Sequence, residues 1–145
     1  MNQEEIKTPS FFRFEDLRIY HKAIDFTIWL LNLGCKADKA YARFFEKFID
    51  EATAVALNIA EGSAKNKATF ATQLKDAKGN IRKAMVYMTI GVNTGVITAE
   101  EEEEIRTQLM EMTKMIGALI SSLQRTTNQH ETSATDNSFD AEMNW

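Results

Sequence analysis

Six cationic side chains crowd one stretch of this sequence: Lys65, Lys67, Lys75, Lys78, Arg82 and Lys83 lie between Ser63 and Ile90, against Asp76 alone. Such a local excess of positive charge attracts phosphate-bearing polymers, because each neutralised phosphate releases condensed counterions. At about 100° per residue on a helix, Lys67, Lys75, Lys78 and Arg82 fall on one flank. None of these positions is aromatic, so the flank itself offers nothing to stack on bases. The chemistry they suit is therefore attraction to RNA or DNA backbone without sequence preference, and the plainer alternative is a solvated helix face.

Other reactive residue types are sparse. The two histidines are His21 and His130, and the residues three before them are Arg18 and Thr127, so the paired Glu-x-x-His motifs of a di-metal bundle cannot be built. His21 precedes Asp25 by four, the spacing of an exposed helix-face pair. Cys35 has no Cys or His neighbour in sequence to activate it. Neither a phosphate-binding glycine loop nor a nucleophile elbow is present, and the seven Met residues suit core filling better than a cofactor box. No catalytic residue, metal or cofactor is expected, and the reading is of a protein that is not an enzyme.

The net charge of -4 is unevenly spread. Residues 1–98 carry fourteen basic and eleven acidic side chains, 99–125 three and six, and 126–145 none and four, so a mildly basic body precedes an acidic end. A single cysteine excludes an internal disulfide and favours a reducing, cytoplasmic setting. No signal peptide begins the sequence, and its longest apolar window, Phe26 to Leu33, is too short for a membrane span.

The elements that must position the basic flank are helices. Residues 1–13 form an arm in which Phe11 and Phe12 are expected to pack onto the body. A four-helix bundle over 14–124 follows, and then a polar acidic tail over 125–145 that Trp145 can anchor. Helix 1 is predicted from Phe14 to Leu33, ended by Gly34. It has two apolar stripes, Leu17, Tyr20, Ile24, Ile28 and Leu31, and Ile19, Ala23, Phe26, Leu30 and Leu33; the second face exceeds what one core needs and implies burial against another subunit.

Helix 2, from about Asp38 to Gly62, places Tyr41, Phe44, Phe48, Ala52, Val55 and Ile59 three or four apart. Helix 3, from Lys67 to Asn93, carries Phe70, Leu74, Ala77, Ile81, Ala84, Met85 and Met88, with Gly79 inside it, where close approach of a neighbouring helix would offset its cost. Helix 4 opens on a capping box, Thr98 with Glu101, and continues with Ile105, Leu109, Met112, Ile116, Leu119 and Leu123. Four such helices with short links describe an all-α up-down-up-down bundle.

Helix 2 closes on Asn58-Ile59-Ala60-Glu61-Gly62. Gly62 can adopt the left-handed conformation that terminates a helix, whereas Glu61 sets a negative charge at the negative end of the helix dipole. Asn58, Glu61 and Gly62 are read as a structural corner: Glu61 accepting N–H groups at the start of helix 3, and Asn58 bonding across to a neighbouring helix.

That pentapeptide, with Phe12-Arg13-Phe14-Glu15-Asp16-Leu17, resembles the four-helix-bundle proteins of the S23, or 23S rRNA intervening-sequence, family, and the likeness runs from about Phe12 to Leu123. The resemblance implies a left-handed bundle assembled as a homo-oligomer, commonly a pentameric ring. The accessory variability protein of diversity-generating retroelements is similar, a basic pentamer that works with a reverse transcriptase and nucleic acid. Relatives often carry an Arg-Arg pair on helix 2 and a Pro shortly before the pentapeptide; here Ile49-Asp50 and Ala56 stand instead, and the cations lie on helix 3. The function implied is accessory and nucleic-acid-associated. An oligomeric protein-interaction scaffold without nucleic acid is the alternative.

Overall fold

Four long helices dominate residues 10–128, which the computed structural model describes: α1 (Arg18–Lys36), α2 (Ala42–Ser63), α3 (Lys67–Asn93) and α4 (Ala99–Asn128). Short 3-10 turns at Arg13–Asp16 and Lys39–Tyr41 precede the first two, and no strand occurs among the described residues. The arrangement is that of a four-helix bundle. Phe26, Leu30, Phe48, Ile59, Leu74, Met88, Ile105, Met112 and Ile116 are fully buried in a single core, each contributing about 1.5–3 kcal/mol of burial free energy.

The helix ends follow from local chemistry. Leu17 is extended (φ -85°, ψ 124°), so α1 starts at Arg18 rather than at the predicted Phe14. At its other end the helix runs through Gly34 to Lys36. Gly34 is there for space: an added Cβ would sit 3.1 Å from the Cβ of Phe45 on α2. The Asp38 carboxylate accepts from the Ala40 N–H at 2.9 Å and starts the turn into α2. The bounds of α3 match the prediction, because Asn66 caps its first turn through Thr69 N–H (2.9 Å) and Gly95, with φ 77°, turns the chain beyond its end. At α4 the capping box is complete: Thr98 N–H donates to Glu101 Oε1 (2.9 Å) and Glu101 N–H to Thr98 Oγ1 (3.2 Å).

The core stripes are occupied largely as the spacing predicts, with Ile19, Ala23, Phe26 and Leu30 facing inward from α1. Phe45 is buried on α2 while Tyr41 stays exposed, and Ile120 joins the α4 seam. The other α1 stripe divides: Leu17, Tyr20 and Ile24 pack against the core margin, whereas Ile28 and Leu31 remain 51% and 48% exposed.

Contacts fix the relative direction of α2 and α3. Phe44 meets Tyr87 with ring centroids 6.0 Å apart, and at the opposite end Gly62 lies against Phe70 and Gln73, so the two helices run antiparallel.

Two glycines depart from expectation. Gly62 is buried inside α2 with no positive φ; a Cβ there would come within 2.8 Å of Phe70 Cδ1 and 3.1 Å of Gln73 Cβ. It permits helix contact and does not terminate the helix. Gly79 has no helix pressed against it, since the sole atom near an added Cβ is an Arg82 guanidinium nitrogen at 3.9 Å. Phe11 and Phe12 also differ from the predicted packed arm: both are exposed, held on the outside of the turn by the Ser10 bonds to Asp16.

Candidate nucleic-acid interface

Asn80 supplies the reference direction for the basic flank. Its Oδ1 accepts from Asn58 Nδ2 on α2 at 2.9 Å, and its Nδ2 donates to Glu51 Oε2 at 3.4 Å, so this side of α3 faces α2. Lys78, two residues earlier, is turned about 200° from Asn80, and Lys67, Lys75 and Arg82 share that direction within about 80°. These four flank positions therefore lie on the side of α3 turned away from α2.

Its members are not equivalent. Lys67 and Arg82 are exposed and Lys75 is half-buried, while Lys78 is only 8% exposed. A lysine at the margin of an apolar stripe buries its methylene stem along the neighbouring side chains, here between Ala77 and Ile81, both buried. Lys75, Lys78 and Arg82 each have interaction partners within the molecule, so phosphate contact there exchanges one partner for another. Lys83 is exposed but lies about a further 100° round, on the far side of Arg82. Lys65 precedes α3 and bonds Glu61 Oε1 at 3.2 Å.

The corner of α2 is built differently from its prediction. Asn58 does bond across to a neighbouring helix. Glu61, however, is exposed and pairs with Lys65 one turn on, while the start of α3 is capped by Asn66. Glu61 is consequently a surface ion pair, and the brace between α2 and α3 is Asn58–Asn80–Glu51. Asn80, 22 residues beyond Asn58 and 29 beyond Glu51, carries no local signal of that role.

Within α4, Arg106 Nε donates to Glu102 Oε1 at 3.1 Å. Across the bundle Lys22 on α1 pairs with Glu111 on α4. No group of three or more His, Cys, Asp or Glu side chains able to hold a metal occurs among the described residues. His21 Nε2 bonds the Glu15 carbonyl, and Cys35 is exposed; His130, Trp145 and most of the acidic tail lie outside the described residues. No described helix is long and apolar enough to cross a membrane. The flank sets the exposed cations Lys67 and Arg82 and the half-buried Lys75 on one side of α3.

A family model described as 23S rRNA-intervening sequence protein matches residues 15–118. That span reaches from the turn before α1 into the second half of α4, and so includes the pentapeptide, the Asn brace and the whole basic flank. No curated protein matches the chain.

Proposed function

The chain belongs to the 23S rRNA-intervening sequence protein family, and from that premise we propose that it is a non-enzymatic, nucleic-acid-associated accessory protein which binds RNA or DNA backbone through one flank of α3. The observation that carries this reading is the grouping of Lys67, Lys75 and Arg82 on the side of α3 away from α2. Lys65 and Lys83 extend the positive field at either side. Lys78 contributes charge from beneath the surface rather than a freely mobile ammonium. Each phosphate neutralised releases counterions, so affinity falls steeply with salt.

In this account the bundle runs up-down-up-down with a left-handed turn and assembles into a homo-oligomer, by likeness a pentamer, in the cytoplasm. Ile28 and Leu31 support self-association, since two large aliphatic side chains about half exposed on one helix face are better covered than wet. Next to them Leu31, Gly34, Cys35, Phe45 and Ile49 line an open apolar hollow between the end of α1 and the start of α2. A ring would repeat the α3 flank into a belt of charge, and a reverse transcriptase is one partner the likeness suggests. The same apolar face favours a second reading, an interaction scaffold with no nucleic-acid role.

Titration of labelled single- and double-stranded RNA and DNA separates the two. Binding at about 50 mM salt that weakens by orders of magnitude at about 200 mM supports the backbone reading. Absence of binding at the lower salt leaves the scaffold.

A further inference from the structure

At the end of the molecule where α1 begins, the chain holds two phenylalanines in solvent: Phe11 is 93% exposed and Phe12 56%. Large aromatic side chains contribute most when buried, so leaving both outside calls for an explanation. They are firmly placed. Ser10 donates its backbone N–H and its hydroxyl to the two Asp16 carboxylate oxygens at 3.2 and 3.3 Å, Glu15 N–H donates to the Phe12 carbonyl at 3.1 Å, and His21 Nε2 bonds the Glu15 carbonyl.

The rings continue one another outward from the core. Tyr20, packed at the core margin, meets Phe14 with centroids 4.9 Å apart. Phe14 meets Phe12 at 5.8 Å, and Phe12 meets Phe11 edge to face at 5.1 Å. The outermost rings thus stand on a supported aromatic column and are preorganised for a flat partner.

Arg13, next to Phe12 in sequence, and Arg18, the first residue of α1, are exposed. The end of α1 lies against the start of α2 through Gly34 and Phe45, so the start of α1 lies beside the end of α2, where Lys65 and Lys67 lead into α3. Among the described carboxylates here, Asp16 is engaged by Ser10, Glu61 by Lys65, and Glu15 is exposed. Exposed π-faces beside cations are the recurrent composition of single-strand sites, because every base has a face to stack and every nucleotide a phosphate to pair.

We propose that Phe11 and Phe12 form a base-stacking platform for single-stranded nucleic acid, with Arg13, Arg18 and Lys67 holding its phosphates. This rests on the nucleic-acid reading above and narrows it, since backbone attraction serves single and double strands alike whereas a stacking platform requires unpaired bases. Both rings are outside the core, so replacing them leaves the fold intact, which thermal melting monitored by circular dichroism verifies.

The test measures anisotropy of a labelled, unstructured RNA of about 15 nucleotides, and of its duplex with the complement, on the full chain at low salt. Phe11→Ala with Phe12→Ala is expected to weaken single-strand binding about tenfold or more and to leave duplex affinity and salt dependence unchanged. Undiminished single-strand binding, or equal loss for both forms, overturns the platform while backbone binding stands. Failure of the wild-type chain to bind either form overturns both.

Discussion

Replacing Gly62 and Gly79 with alanine, one at a time, is predicted to move stability in opposite directions. Each change gains about 1 kcal/mol of helix propensity, since alanine restricts the unfolded chain and glycine is a poor helix former. At Gly79 nothing opposes that gain, because the added methyl meets only a guanidinium nitrogen at 3.9 Å. At Gly62 the methyl arrives 2.8 Å from the ring of Phe70 and 3.1 Å from Gln73 Cβ. Phe70 is buried and the Gln73 Cβ is carried by the α3 backbone, so relief requires the two helices to part.

Overpacking of this kind costs about 1–3 kcal/mol, which cancels or exceeds the propensity gain and leaves Gly62→Ala up to about 2 kcal/mol less stable. In a domain of this size a kcal/mol shifts Tm by about 3 °C. Differential scanning calorimetry at fixed protein concentration reads both variants. The reasoning is refuted if Gly62→Ala melts higher than wild type, or if Gly79→Ala melts lower.

Three further outcomes follow from the same contacts. Asn58→Ala and Asn80→Ala each lose a part-buried amide bond, costing about 1–3 kcal/mol in urea unfolding, and the double variant shows coupling of about 1 kcal/mol in a double-mutant cycle; additive losses would mean that the two amides do not hold α2 to α3 together. Glu61→Gln removes an exposed ion pair within one helix turn and changes stability by no more than about 0.5 kcal/mol, measured in the same unfolding series; a larger loss would restore Glu61 as a structural brace. Ile28→Glu with Leu31→Glu places charge on the exposed face of α1 and lowers the mass found by light scattering if that face joins subunits, whereas an unchanged oligomer moves the interface elsewhere.

Much of the fold was legible because its signals are local. The start of α4 is announced by Thr98 and Glu101, and the ends of α3 are held by Asn66 and Thr94, groups whose partners lie within four residues. Boundaries set by backbone conformation alone were less legible: Leu17 is apolar and in phase with the helix, and nothing in its side chain reveals that it is extended. Glycine is ambiguous for a physical reason. The lack of a Cβ permits both a left-handed turn and close helix contact: the sequence points to an end at Gly62 and a contact at Gly79, whereas the structure has a close contact at Gly62 and none at Gly79.

The candidate site was legible as a flank but not in its exposure. Periodicity puts Lys67, Lys75, Lys78 and Arg82 in one sector of α3, yet Lys78 is only 8% exposed, which spacing along α3 does not encode. Phe11 and Phe12 are expected to pack because large apolar residues usually do; instead both stand exposed beside the bonds between Ser10 and Asp16, polar residues with no sequence pattern marking them as partners.

Association with nucleic-acid backbone through α3 is tested most directly by its salt dependence. Duplex RNA is titrated at several salt concentrations with the wild-type chain and with a variant carrying Lys67→Gln, Lys75→Gln and Arg82→Gln, positions that lie at least partly in solvent. The account predicts weaker binding at low salt and a log–log slope flatter by about one for each phosphate contact removed. A variant that keeps the wild-type affinity and slope would contradict it.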